Sequence, residues 1–322
     1  MRRRAAFIIE TFFPGVSVFT MVGAKARTGK GMSSGNSAAS RNVSPAVGFT
    51  ALATFARRVG TNLIRWIVIL GRAPRRRPPR WPSGAMCAAA LIVGIIVAAM
   101  FLVDTTASNW ARHLPPRLIE IADEITNFGR SGWFLYPLGF ILLCLAAITS
   151  PSLPPLAQGA LALLAARFGF LFTAIGLPSL FVTIVKRLIG RARPYVGGHD
   201  NPFLYMPFIW RPEYASMPSG HATTATAAAI AIGAIWPRSR VVMWLYALII
   251  MFSRVVIDVH HPSDVMAGGL VGVIGALSVR RYFAARRLAF FADDLRPVPG
   301  PSWQRLKAVA RALVGRPGSS VA

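Results

Sequence analysis

Six long apolar runs separated by short polar segments dominate residues 84–282 of this 322-residue chain. A membrane-spanning helix needs about 20 apolar residues, because the hydrocarbon core is about 30 Å thick. The runs lie near 84–103, 132–149, 168–186, 221–236, 241–259 and 264–282. They predict an all-α fold, a polytopic membrane bundle of about six transmembrane helices, in which the fourth helix is the shortest.

The overall composition agrees with a chain that sits in lipid. Apolar residues make up 54% and charged residues 15% of the sequence. The formal net charge of +25 first suggests a nucleic-acid partner. The basic residues cluster at the ends of apolar runs, however, as cytoplasmic loops of membrane proteins do. We therefore expect a membrane protein with no nucleic-acid partner.

The sequence divides into three parts. Residues 1–83 form a basic leader, in which the stretch 25–44 is of low complexity and predicted to be disordered. Residues 84–282 form the transmembrane domain, and residues 283–322 form a basic cytoplasmic tail. The apolar segment 63–70 of the leader is too short to span and is expected to lie on the membrane surface.

Local patterns refine this division. Residues 5–22 resemble a signal peptide, but the arginines between Arg72 and Arg80 belong in the cytoplasm, so we expect an uncleaved cytoplasmic leader. Pro178 is expected to kink the third span. The segment 115–128 alternates apolar and acidic residues and is predicted to be an amphipathic surface helix.

Charge predicts the orientation of the bundle. With the N-terminus inside, eight acids fall at the outer face: Asp104, Glu120, Asp123, Glu124, Asp200, Glu213, Asp258 and Asp264. Basic residues fall at the inner ends: Arg167, Arg238, Arg240, Arg280, Arg281, Arg286 and Arg287. This agrees with the excess of basic residues on the cytoplasmic side of membrane proteins, and the acids serve as a cross-check.

The first of three polar segments at the outer face is Lys186-Arg-Leu-Ile-Gly-Arg-Ala-Arg193-Pro194. Lys186 and Arg193 are two helical turns apart and project from one face if the helix continues. Pro194 helps to end the segment. A lysine with an arginine can bind phosphate oxygens well. The alternative is that both side chains only extend to the membrane interface, which would give the same sequence pattern.

The second segment is Pro218-Ser219-Gly220-His221, where a loop becomes the fourth span. Ser219 is expected to cap the helix, and Gly220 lets the backbone approach a ligand. The free N–H groups at a helix start attract an anion, near which His221 is placed to give or take a proton. A capping serine beside an interfacial histidine is the alternative.

The third segment contains His260 and, four residues later, Asp264. If Pro262 begins the sixth helix, Asp264 occupies its first turn within reach of His260. A carboxylate on one ring nitrogen fixes the tautomer and leaves the other nitrogen as a nucleophile.

Three neighbours of His260 carry further charge or proton-transfer capacity. Arg254 is expected to contribute to the phosphate clamp. Asp258 is an alternative to Asp264 as the orienting acid, although it is expected to face a different side of its helix. We interpret His261 as structural. Two histidines, three cations and an acid at outer helix ends fit phosphoryl transfer, in which charge on the equatorial oxygens must be neutralised.

Together the three segments resemble the type 2 phosphatidic acid phosphatase family, which shares its site with vanadium-dependent haloperoxidases. The family pattern is Lys-x6-Arg-Pro, Pro-Ser-Gly-His and Ser-Arg-x5-His-x3-Asp, and this sequence matches every defined position. The resemblance spans roughly residues 84–282.

The resemblance implies a role for each matching residue. His260 attacks phosphorus and forms a phosphohistidine, and Asp264 orients it. His221 protonates the leaving oxygen and then activates water. The implied phosphate-binding residues are Lys186, Arg193, Ser219, Gly220 and Arg254. The family uses no metal, so no cofactor is expected.

The implied activity is hydrolysis of a lipid phosphomonoester or diphosphate at the outer membrane face. Candidate substrates are phosphatidic acid, phosphatidylglycerophosphate, undecaprenyl diphosphate and lipid A phosphate. The aromatic loop 195–217 suits the membrane interface above the site, and a loop that only packs on the helical bundle is the alternative. We expect a bacterial inner-membrane protein whose site faces the periplasm or exterior. A lipid phosphotransferase using the same histidine, a haloperoxidase and a non-enzymatic lipid transporter stay open.

Overall fold

The computed structural model describes residues 45–78, 80–197 and 201–314. Over these residues the chain forms ten α-helices and no strand beyond isolated β-bridges, so the predicted all-α fold is confirmed. The helices are α1 Pro45–Gly71, α2 Ala85–Leu102, α3 Asp104–Arg112, α4 Pro116–Thr126, α5 Gly132–Ile148, α6 Pro155–Ile189, α7 Gly220–Ile235, α8 Arg240–Val256, α9 Pro262–Ala285 and α10 Trp303–Val314. The predictions for 5–22, 25–44 and Asp200 lie outside the described residues.

Five helical segments in the described part of the chain are long and apolar enough to cross a membrane. They are Ala85–Leu102, Pro116–Ile148, Pro155–Ile189, Pro237–Val256 and Pro262–Ala285. The 16-residue α7 is apolar but shorter. The six predicted spans therefore coincide with α2 and α5 to α9, and the predicted amphipathic segment coincides with α4.

Two predicted elements have different bounds from those expected. α6 begins at Pro155 rather than near 168, because alanine and leucine dominate its first turns. The helix has 35 residues in all and includes Pro178. The segment 63–70 belongs to the 27-residue helix α1. Arginines interrupt the apolar pattern of α1, but they are good helix formers and do not end the helix.

The described residues fall into two compact units. In the first unit, which contains α1, the side-chain nitrogen of Asn62 donates to the carbonyl oxygens of Ala146 and Thr149 at 2.8 and 3.0 Å. Asn62 thereby satisfies carbonyls that the end of α5 leaves without helical partners. The second unit comprises residues 73–142 and 166–299 and contains every predicted site residue.

α7 lies at the core of the second unit. Twelve of its 16 residues are buried, and most of them are alanine or threonine. It packs chiefly against α8 and α9. A Cβ atom on Gly268 of α9 would collide with the carbonyl oxygen of Ser219, and one on Gly272 would collide with the carbonyl oxygen of Thr223. These glycines let the two backbones meet and hold the start of α7 beside the start of α9.

Candidate active site

Helix ends in the second unit carry the predicted site residues. Lys186 lies in the last turn of α6, and Arg254 lies in the last turn of α8. Ser219 precedes α7, whose first residues are Gly220 and His221, and the backbone N–H of Ser219 donates to the carbonyl oxygen of Asp264 at 2.9 Å. That bond joins the second and third polar segments directly.

The condition under which Lys186 and Arg193 would project from one helical face, a helix that continues to Arg193, is not met. α6 ends at Ile189, and Gly190 has a φ of +64° at a point where a Cβ atom would collide with the carbonyl oxygen of Met206. The charges of Lys186, Arg193 and Arg254 nevertheless lie close enough to interact with one another. A glycine turn, rather than helical register, therefore brings the cations together.

Three polar atoms in this cluster are buried and have no hydrogen-bond partner among the described residues: Ser219 Oγ, Arg193 Nε and Arg254 Nε. Ser219 is fully buried and occupies the N-cap position, but its side chain makes no capping bond, contrary to expectation. A different nitrogen of the Arg254 guanidinium, Nη1, donates to Thr126 Oγ1 at 2.9 Å and so holds the group in place. Buried polar atoms normally find a partner, so these donors are suited to an anion.

α9 begins at Pro262 and Asp264 lies in its first turn, as predicted. The distance from Asp264 Oδ2 to His260 Nδ1 is 3.8 Å, which is too long for a hydrogen bond. Ser216 lies between them. Its Oγ donates to Asp264 Oδ2 at 2.6 Å and is 3.4 Å from His260 Nδ1. The acid and the histidine are therefore neighbours connected through a serine hydroxyl.

Burial sets the charge of His260. It lowers the pKa of the imidazole to about 4, and the charges of Arg254 and Arg193 act in the same direction, whereas Asp264 opposes them. His260 is consequently neutral at pH 7. A neutral imidazole has a free ring nitrogen, which is what a nucleophile requires.

Arg191 was missed by the sequence predictions and is fully buried. Its Nη1 donates to Asp264 Oδ1 at 2.5 Å and to Ser263 Oγ at 2.7 Å, and its Nη2 donates to Asp104 Oδ2 at 2.7 Å. Burial alone would lower the pKa of Arg191, but the two carboxylates offset this effect and the pKa is raised. Asp104, predicted only as an outer-face charge, is thus part of the support for Asp264.

Other residues near the site have separate partners. Asp258 Oδ2 lies 3.9 Å from Arg112 Nε. His261 is the N-cap residue of α9, and its Nδ1 lies 3.3 Å from Ser108 Oγ. His221 packs against Gly129, where a Cβ atom would stand only 2.9 Å from the ring carbon Cδ2. The described residues contain no group of three or more His, Cys, Asp or Glu side chains suited to hold a metal ion.

Comparisons with known proteins identify the family. The model of the PAP2 superfamily matches residues 167–288. A lipid A 1-phosphatase of Rhizobium etli is 31% identical over 192 residues, which cover 59% of this chain and 80% of that protein. This chain belongs to the PAP2 superfamily. It is therefore an integral membrane protein and a phosphatase, and the expected resemblance to type 2 phosphatidic acid phosphatases is confirmed.

Two further proteins are similar to part of this chain. The decaprenylphosphoryl-5-phosphoribose phosphatase of Mycobacterium tuberculosis is 28% identical over 165 residues, covering 50% of this chain and 79% of that protein. The crystal structure of the first transmembrane PAP2 type phosphatidylglycerolphosphate phosphatase from Bacillus subtilis has a TM-score of 0.42 and 18% identity. The match covers 59% of this chain and 93% of the Bacillus subtilis chain.

Proposed function

We propose that this PAP2 protein hydrolyses the phosphate of a lipid through a phosphohistidine on His260. The observation that carries the proposal is a set of buried donors close to two histidines. These donors, on Ser219, Arg193 and Arg254, have no hydrogen-bond partner within the described part of the chain. Phosphoryl transfer needs fixed positive charge and hydrogen-bond donors around the equatorial oxygens. Lys186 adds a further cation to the clamp, and the N–H groups at Gly220 lie at a helix start that favours an anion.

In the first half-reaction, Nε2 of His260 attacks phosphorus, because Nδ1 faces Ser216 and Asp264. The new bond joins nitrogen to phosphorus, and the bond between phosphorus and the lipid oxygen breaks. The negative charge of the bound phosphate favours the protonated, imidazolium form of His221. This imidazolium gives one proton to that oxygen and becomes neutral, so the lipid leaves as an alcohol, or as a lipid monophosphate if the substrate is a diphosphate. General acid catalysis of this kind contributes on the order of 10²–10⁴-fold to the rate.

In the second half-reaction, the neutral His221 accepts a proton from water as the water oxygen attacks phosphorus. The nitrogen–phosphorus bond breaks, inorganic phosphate leaves and His260 returns to its neutral form. The net change is hydrolysis of one phosphorus–oxygen bond by one water molecule. Both histidines end in the protonation states in which they began.

A lipid substrate is favoured by the loop before α7. The side chains of Phe208 and Trp210 are 72% and 76% exposed, and the ring centroid of Phe203 lies 4.8 Å from that of Phe101 at the end of α2. Exposed aromatic rings favour the headgroup region of a bilayer. Because a relative matched over 80% of its own length is named a lipid A 1-phosphatase, lipid A phosphate is the first substrate to test, before phosphatidic acid, phosphatidylglycerophosphate and undecaprenyl diphosphate.

The proposed location is the outer face of a bacterial inner membrane. Basic residues at the ends of α8 and α9 remote from the site, such as Arg240 and Arg281, support this orientation. A short-chain, membrane-impermeant lipid phosphate offered to sealed vesicles of known sidedness tests it. We expect hydrolysis in right-side-out vesicles, whereas hydrolysis confined to inverted vesicles would reverse the assignment.

The test of the activity is inorganic phosphate release from the four purified lipid phosphates. His260→Ala should abolish release while the protein stays inserted in the membrane, and His113→Ala is the matched control because His113 is exposed. Near-normal turnover by His260→Ala would refute the mechanism. A labelled donor separates hydrolysis from transfer of phosphate to a second lipid. Lipid movement that persists without phosphate release would favour a transporter.

A further inference from the structure

Ser216 lies two residues before the Pro218-Ser219-Gly220-His221 segment and is fully buried. Its backbone N–H donates to the carbonyl oxygen of Arg191 at 3.1 Å, so its position is fixed by the residue whose guanidinium holds Asp264. The sequence predictions gave Ser216 no role.

The hydroxyl of Ser216 has one proton, and the distances indicate where it points. An ionised carboxylate only accepts hydrogen bonds, so the 2.6 Å contact with Asp264 Oδ2 uses the serine proton. The serine oxygen, 3.4 Å from His260 Nδ1, then has only its lone pairs to offer the imidazole. The oxygen can accept a hydrogen bond from Nδ1–H but has no proton left to donate to that nitrogen.

Asp264 has little capacity left for a direct bond to His260. Its Oδ1 accepts from Arg191 Nη1 at 2.5 Å, and its Oδ2 accepts from the backbone N–H of His261 at 3.0 Å as well as from Ser216. These three donors hold the carboxylate 3.8 Å from His260 Nδ1. The carboxylate therefore lies outside hydrogen-bond distance of the ring it is expected to orient.

We infer that Ser216 is a positioning residue whose hydroxyl links His260 to Asp264 and fixes the proton of His260 on Nδ1. The unprotonated Nε2 then faces the phosphate. The inference rests on the proposed role of His260 as nucleophile. From the family pattern alone, Asp264 would make the contact with His260. We assign this contact to Ser216, which lies outside the three family segments.

The protein provides a matched pair of variants for the test. Ser216 and Ser108 are both buried serines, and their hydroxyl oxygens lie 3.4 and 3.3 Å from Nδ1 of the adjacent histidines His260 and His261. We expect Ser216→Ala to lower kcat by roughly tenfold to a hundredfold with little change in KM, as loss of a supporting hydrogen bond does elsewhere. Ser108→Ala should leave kcat close to the wild-type value.

A second measurement does not depend on activity. The chain has five histidines, so ring nitrogen-15 resonances of labelled protein are few, and His260→Ala identifies those of His260. We expect a protonated Nδ1 on His260 in the wild type and in Ser108→Ala at pH 7. In Ser216→Ala the proton should move in part to Nε2.

Three results would overturn the inference: a kcat for Ser216→Ala within about twofold of wild type, an unchanged His260 tautomer, or an equal loss in Ser108→Ala. If Ser216→Ala does not fold, Ser216→Cys is judged by the same criteria, because a thiol is a weak hydrogen-bonding group. Phosphate release that survives His260→Ala would refute the proposed function instead, and the tautomer measurement would still decide the role of Ser216.

Discussion

Arg191 Nη1 lies 2.5 Å from Asp264 Oδ1, and both side chains are fully buried. Asp104 completes the arrangement on the other side of the guanidinium, where its Oδ2 lies 2.7 Å from Nη2. The buried guanidinium of Arg191 thus forms ion pairs with two buried carboxylates, and one of them, Asp264, lies next to the proposed nucleophile His260. Removing one member of such a group is costly because it leaves the others charged and without a partner.

Arg191→Met should therefore destabilise the protein by about 3–5 kcal/mol, since it leaves Asp104 and Asp264 buried without their cation. It should also lower kcat, because Asp264 loses the contact that fixes its orientation. Thermal unfolding and phosphate release in detergent measure the two effects. Arg117→Met is the control, as Arg117 is exposed on α4 and should change neither. An Arg191→Met protein with wild-type stability would show that the network contributes little.

The pKa of His260 predicts how stability depends on pH. The pKa is about 4 in the folded protein and about 6.5 in an unfolded chain. The unfolded state therefore binds more protons between these values, and stability is lost as the pH falls from about 6.5 towards 4. The difference corresponds to about 3 kcal/mol, at about 1.4 kcal/mol per pKa unit.

His260→Asn isolates this effect, because asparagine does not titrate in that range. We expect wild type to lose more stability than His260→Asn between pH 7 and pH 4, measured as unfolding free energy in detergent. Parallel pH dependence of the two proteins would contradict the burial argument. Both proteins carry the same remaining titratable groups, so their difference reports His260.

The sequence was sufficient to locate the apolar helices α2 and α5 to α9, the amphipathic α4 and the three polar segments. Long apolar runs limit the possible folds, and Pro262 marks the start of α9 beside Asp264. It was not sufficient to pair Arg191 with Asp104 and Asp264, which are 87 and 73 residues away along the chain. Those pairs depend on the turn at Gly190, which directs Arg191 into the interior.

The relative position of Lys186 and Arg193 also depends on this turn. Spacing of seven residues predicts a common face only if the helix continues, but the left-handed Gly190 ends it. Ser216 was overlooked because a serine in a loop carries no periodic signal. Its bond to Asp264 crosses 48 residues and forms only once α7 and α9 are in contact.

The contact between α7 and α9 predicts a strong effect of small substitutions. Gly268→Ala places a methyl group against the backbone of Ser219, so we expect displacement of Ser219 and a marked loss of kcat. Overpacking of this kind costs about 1–3 kcal/mol. Gly94→Ala is the matched control, because a Cβ atom at Gly94 meets nothing within 4 Å. Equal activity of the two variants would mean that the helices can separate without harm to the site.

The last prediction concerns how the phosphate charge is neutralised. If Lys186, Arg193 and Arg254 do this, activity should persist in excess chelator, and orthovanadate should inhibit because it mimics the phosphate in its five-coordinate state. Arg254→Met should weaken vanadate inhibition strongly, since it removes a donor whose Nε has no partner among the described residues. Phosphate release titrated with vanadate measures this, with Arg117→Met as the control. Activity lost on chelation and restored by magnesium would instead place a cation at the phosphate and reduce the three basic residues to a supporting role.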